Sequence, residues 1–191
     1  MLWPMTAPFE AQPQKPDPTA ADLEVAPIKL TQAGRLSRLR IQLIEEIPSA
    51  FGTPPEIERQ RGSGYYRRLL QLQMLNGQGL LLGLWQGKDL IGMTGAKPKW
   101  EQGKRIGLVY SMGVRADKRG CGGASLLLAR AEQELQQRWG ILEAQLCVEV
   151  HNQHAKAFYR HKGYEVFKHQ PNAFQLQGVP HDIQMMRKSF A

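Results

Sequence analysis

The chain has 191 residues, of which 42% are hydrophobic and 22% charged, and a formal net charge of +8. That length suits one domain with a sizeable core, with or without a tail, and the composition is that of an ordinary globule. No apolar run approaches a membrane span, and the two cysteines, Cys121 and Cys147, make no disulfide framework, which fits a reducing cytoplasm.

Residues 1–22 carry Pro4, Pro8, Pro13, Pro16 and Pro18 and almost no periodicity, which predicts an extended or disordered tail before a single domain over 23–191. This stretch has neither the basic-then-apolar layout of a secretory signal nor the arginines of a transit peptide. The first 24 residues carry a net −3, which leaves +11 on the rest. Such a balance favours polyanionic ligands.

Residues 23–30 read as a first strand, with Pro27 marking an edge. Over 33–47, Leu36, Leu39, Leu43, Ile44 and Ile47 share one face, so a helix is predicted, ended by Pro48. Arg35, Arg38 and Arg40 lie off that face and read as a solvated basic surface. Prolines and glycines make 49–64 loop-like, and a second helix follows near 65–75. Two strands flank the turn at 86–89, and a second hairpin turn at 100–104 leads into an apolar strand ending at Val114. Gly113 inside that strand suggests a bulge or a close backbone approach.

Residues 115–123 then form a basic, glycine-rich turn with Arg115, Lys118, Arg119, Gly120, Gly122 and Gly123. A helix follows, with Ala124, Leu127, Leu128, Ala131 and Leu135 on one face, and it ends at Gly140. Such a helix start leaves N–H groups unpaired at the positive end of the macrodipole, and glycines let the backbone approach a ligand. Together these suit an anion such as phosphate, although a plain tight connection uses the same residues. Neither the Walker pattern nor the dinucleotide glycine pattern is present. Residues 141–150 alternate as a strand, with Cys147 expected to pack, and 152–161 form a short helix with Asn152 as its N-cap. A strand at 164–168, a loop through Pro180 and a last strand at 182–188 complete an α/β chain with a mixed sheet.

The run Arg119-Gly120-Cys121-Gly122-Gly123-Ala124 resembles the R/Q-x-x-G-x-G/A motif of the GNAT family of N-acetyltransferases. Further on, Val148, Asn152, Ala155, Tyr159, Gly163 and Tyr164 match the strand, Asn, Ala, Tyr, Gly and aromatic that GNAT members commonly show. The two motifs stand in family order, and the resemblance spans roughly residues 25–190. It implies the GNAT fold: a central mixed, mostly antiparallel twisted sheet of about six to seven strands, flanked by about four helices and splayed between the fourth and fifth strands. It also implies acetyl-CoA as co-substrate and direct transfer of its acetyl group to an amine. By this resemblance Arg119, Gly120, Cys121, Gly122, Gly123, Ala124 and Ser125 hold the pyrophosphate, with Lys118, Lys156 or Arg160 near the distal phosphate. Met112, Gly113 and Val114 pair with the pantetheine arm, and Asn152, Ala155, Phe158 and Tyr159 border the same ligand.

Tyr159 matches the family position that protonates the departing sulfur. A phenol suits this task as an O–H donor at neutral pH, its ordinary pKa being about 10. The Met112 N–H is the implied oxyanion donor. In the family the segment joining the first two helices lines the acceptor site. Phe51, Glu56, Glu58 and Tyr65, together with Ser111, are therefore the acceptor candidates.

No motif fixes the general base. Glu149 projects from the strand beside the cofactor and is the candidate, directly or through water, with Tyr110, Ser111 and His151 as candidate proton shuttles; a purely structural carboxylate is the other reading. His151 and His154 have no third ligand, so no metal is expected. The acceptor is a small-molecule amine or a peptide or protein amine, and the fold does not decide between them. A non-catalytic acyl-CoA sensor or interaction module is the alternative function. The dispersed bases and the lack of a stacking-aromatic motif count against nucleic acid. A monomer and a homodimer are both compatible with the sequence.

Overall fold

A computed structural model describes residues 22–101 and 103–190. The proline-rich stretch expected to form a tail lies outside the described residues, apart from Asp22. The strands are β1 (Leu23–Pro27), β2 (Leu80–Gln86), β3 (Asp89–Glu101), β4 (Lys104–Val114), β5 (Glu143–Glu149), β6 (Glu165–Leu176) and β7 (Val179–Ser189). They form one sheet in the order β1-β2-β3-β4-β5-β7-β6. Every pairing is antiparallel except β4 with β5, which run parallel. Pro27 ends the edge strand β1, where a missing N–H is tolerated.

The helices are α1 (Ala33–Glu46), α2 (Pro48–Phe51), α3 (Pro55–Asn76), α4 (Gly123–Trp139) and α5 (Gln153–His161). Successive residues of a strand face opposite sides, so β2 feeds two cores. Leu82 and Leu84 pack with Leu127, Leu128 and Leu135 of α4. Leu81 and Trp85 pack with Leu36, Leu39 and Leu43 of α1 and Tyr66 and Leu70 of α3. Helices thus cover both faces of the inner strands, which explains the almost unbroken apolar run of β2. α4 ends in a Schellman arrangement, with Gly140 N–H bonding Gln136 O and Ile141 N–H bonding Leu135 O.

Four expectations from the sequence are corrected. Residues 49–64 are mostly helical. Pro48 starts α2 and Pro54 and Pro55 stand at the start of α3, where no N–H is needed, and Glu56 and Glu58 favour the first turn of α3. Gly62 (φ 60°, ψ −179°) kinks α3 rather than ending it. The expected loop before Pro180 is instead a long hairpin of β6 and β7, turning at Gln177 and Gly178; a register shift between Gln170 and Phe174 breaks the alternation that would have revealed it. Cys147 is exposed and Leu142 is 74% exposed, while Gln145 and Glu149 are buried. Finally, Arg40 is buried, not solvated.

Candidate active site

β4 and β5 are joined by two register pairs, Gly107 with Ala144 and Leu108 with Gln145, and then part. The local cause is a bulge in β4. Thr94 of β3 stands opposite both Ser111 and Met112, and Ser111 takes φ 53°, a left-handed conformation rare for a side chain other than glycine or asparagine. Gly113 is not the bulged residue. A Cβ there would lie 3.0 Å from Leu43 and 3.1 Å from Phe51, so its role is close packing beneath α1 and α2.

The parted strands frame a slot of about 70 Å³, lined from β4 by Val109 to Met112, from β5 by Leu146 to Glu149, and closed by Asn152, Ala155 and Tyr159. The Asn152 side chain accepts the Ala155 N–H at 3.1 Å, and this cap starts α5 at the slot. One α-helical turn on, the Tyr159 hydroxyl points to Met112 Sδ at 3.6 Å. Burial pushes the Tyr159 phenol well above its ordinary value of 10.0, so it is a proton carrier at neutral pH.

Glu149 faces the same slot with its carboxyl buried. Its Oε2 accepts the His151 N–H at 2.9 Å. Its Oε1 has no hydrogen bond among the described residues and lies 3.6 Å from His181 Nδ1. The His181 ring is stacked on Phe174 at 5.0 Å and 5°. Sequence reading missed His181 because it stands on the final hairpin, 32 positions from Glu149, in a stretch expected to be loop. The flat His–Phe pair across β6 and β7 had no signature in the sequence.

The glycine turn lies beyond the end of β4, and its cleft is bordered by Val114 of β4 and by Phe158, the α5 neighbour of Tyr159. Gly120 and Gly122 have φ of +85° and +82°, and a Cβ on either would meet nothing within 4 Å, so their backbone faces open space. Gly123 is the opposite case: a Cβ would come within 2.4 Å of Leu84 Cδ2, and this close seat fixes the start of α4 on β2. The N–H groups of Ser125 and Leu126 turn in to Gly122 O, while those of the first turn before them have no carbonyl one turn back to bond. A cleft of about 240 Å³ opens here, lined by Val114, Lys118, the loop glycines, Ala124, Ser125 and Phe158. The Arg119 Nε donates to Val114 O at 2.9 Å and its guanidinium pairs with Glu46. Arg119 therefore braces the loop against α1 and offers the cleft its backbone. Cys121 Sγ is turned to Lys118 O, and Lys156 Nζ is taken by Val150 O at 2.7 Å.

On the other side of β4 is a cavity of about 500 Å³ between α3 and the sheet. Of the acceptor candidates, Phe51, Tyr65 and Ser111 line this cavity, whereas Glu56 is exposed on the first turn of α3 and is not part of the wall. Glu58 lies fully buried behind the wall, where Arg40 Nε at 3.4 Å, Arg61 Nη1 at 3.0 Å and the Tyr66 hydroxyl converge on it. Tyr110 and Ser111 line both this cavity and the slot, so the two spaces share a wall. Among the described residues no group of three or more His, Cys, Asp or Glu side chains is placed to hold a metal ion.

An open glycine turn at a helix start, a split in the sheet and a buried phenol beside the split are the local features of this site. The model of the acetyltransferase (GNAT) family matches residues 43–164, more than half of the chain, and the chain belongs to that family. No curated protein matches it. Among solved structures, yncA of Salmonella typhimurium, described as a putative acetyltransferase with acetyl-CoA, superposes with a TM-score of 0.75 at 14% identity, over 89% of this chain and 95% of that one. RimL, a ribosomal L7/L12 alpha-N-protein acetyltransferase in complex with CoA, gives 0.74 at 16%, over 91% and 97%. The spermidine N-acetyltransferase of Vibrio cholerae, with CoA and spermine, gives 0.74 at 16%, over 88% and 96%. At such identities the likeness is one of fold.

Proposed function

We propose that the protein transfers the acetyl group of acetyl-CoA directly to the amine of an acceptor, in the slot between β4 and β5. The observation that carries this reading is the joint position of Tyr159 and Glu149 on that one slot, with the glycine turn following the same strand β4 and its cleft bordered by Phe158 beside Tyr159. The site fits the co-substrate: the Gly120 and Gly122 backbone is open where a side chain would fill the cradle, and β4 past Leu108 has no register partner on β5. The loop backbone, the first-turn amides of α4, Lys118 and Ser125 bind the phosphates. Solved relatives of the fold hold CoA or acetyl-CoA.

Acetyl-CoA supplies the acyl group as an activated thioester. Glu149 takes the proton from the attacking amine, and His181, its Nδ1 3.6 Å from the carboxylate, packs beside it. The Met112 N–H stabilises charge developing on the acyl oxygen. Tyr159 Oη gives its proton to the departing sulfur and recovers one from solvent. Relatives of the fold act on a protein α-amine and on spermidine, so the acceptor class does not follow from the fold. No described helix is long and apolar enough to cross a membrane, and a cytoplasmic site of action is part of this proposal.

The test is calorimetric titration of acetyl-CoA and CoA into the wild type and a Gly122→Asp variant, followed by thiol release with a panel of amines. Wild-type binding that the variant loses, with turnover of some amine, supports the proposal. Binding without turnover of any amine points to an acyl-CoA sensor, and no binding to the wild type overturns the reading.

A further inference from the structure

The charges around the cavity beside Tyr110 and Ser111 do not cancel. Glu58, the carboxylate behind its wall, is shared by two guanidinium groups, those of Arg40 and Arg61. One negative charge therefore serves two positive ones. Lys97 adds a third cation to the wall, its Nζ 5.3 Å above the Tyr110 ring, and has no carboxylate within 4.0 Å among the described residues. No Asp or Glu lines the cavity itself. The remaining wall mixes apolar and aromatic side chains, among them Phe51, Tyr65, Leu69 and Leu72, with the neutral polar Thr53, Gln73, Asn76 and Gln78.

The space therefore complements a ligand with a negative group and an apolar part that meets Phe51, Tyr65, Leu69 and Leu72. It is hostile to a polycation, which would bring charge of the sign already in excess. Lys97 stands over the Tyr110 ring, and Tyr110 with Ser111 forms the partition with the slot that holds Glu149 and Tyr159. A carboxylate held at Lys97 therefore lies beside the slot, where an amine on the same or a neighbouring carbon is carried to it.

We propose that the acceptor is an amine whose own skeleton bears a carboxylate and an apolar body, apolar and aromatic α-amino acids being the smallest of this class, and that Arg61 and Lys97 select it against polyamines. The inference rests on the acyl-transfer reading above and narrows its acceptor. The reaction balances as written there: an N–C bond forms, the C–S bond breaks, the amine proton goes to Glu149 and the sulfur takes one from Tyr159.

The experiment compares L-phenylalanine and L-leucine with their carboxamides, and with spermidine, by thiol release from acetyl-CoA. The free acids are expected to show kcat/KM about tenfold or more above the amides, as loss of one charged contact implies, with spermidine poorest. Lys97→Gln should raise KM for the acids with kcat nearly kept and leave the amides unchanged, and Lys97→Arg should restore the difference. Equal use of acids and amides, better use of spermidine, or a ratio that Lys97→Gln leaves untouched overturns the proposal. Direct titration of the same compounds into the CoA-saturated protein separates the two readings. If the acids bind in preference to the amides and no compound is acetylated, the transfer reading fails and the acceptor cavity stands. If neither binds nor reacts, the cavity assignment fails.

Discussion

Tyr159 stands in a setting that makes its proton hard to remove. Burial is the whole cause of its raised phenol pKa, and Tyr164, whose ring lies 5.8 Å away, is raised by burial first and by Glu132 after it. A raised value in the folded chain means that the folded protein holds protons that the unfolded chain releases above the ordinary value of 10.0. The stability this represents is complete below that value and is lost as the pH rises beyond it, by at most about 1.4 kcal/mol per pH unit for each such group. Tyr159→Phe should therefore lose less stability between pH 9 and 11 than the wild type in urea unfolding. The same substitution should lower kcat about 10²–10⁴-fold while acetyl-CoA binding stays nearly intact. An unchanged kcat would remove Tyr159 from proton transfer.

At the scale of elements, the join of α1 to α3 is held by one buried carboxylate. Arg40 of α1 reaches Glu58 of α3 and also stacks over Phe51 at 5.0 Å. Glu58→Ala leaves the Arg40 charge buried without its partner, and a loss of about 3–5 kcal/mol is expected from the urea midpoint. Glu58→Gln, which keeps a hydrogen-bonding group in place, should lose less. This pair shows where the sequence stops being legible. Periodicity placed Leu36, Leu39 and Leu43 on the inner face of α1 correctly, because apolar spacing reports burial directly. Arg40 lies off that stripe and reads as solvated, since its burial depends on a carboxylate 18 positions away in a stretch that looked like loop. The glycine turn and the Asn152 cap were legible for the opposite reason: each is a local arrangement whose residues stand within a few positions of one another. His181 beside Glu149 was not, because strand order in the sheet creates that contact.

Over the whole molecule, the sheet of seven strands with its one parallel pair follows from the alternation of strand and helix in the sequence. Placing β7 between β5 and β6 is a long-range choice that no local pattern announces. It has a use, since β7 is the element that brings His181 to the end of β5.

The two register pairs that join β4 to β5 also divide the sheet mechanically. β1 to β4 are paired in one run and β5 to β7 in another, and a short seam near Leu108 holds the register pairs between them. Anything lying between the two runs acts as a wedge that also bonds to both, so occupancy sets how freely they rock. Amide deuterium exchange should slow at 109–114 and 146–149 when CoA is bound, and stay unchanged in the β2–β3 hairpin. The seam itself, at Gly107 and Leu108, should be protected with or without the ligand, as a hinge pin is in both positions of a hinge.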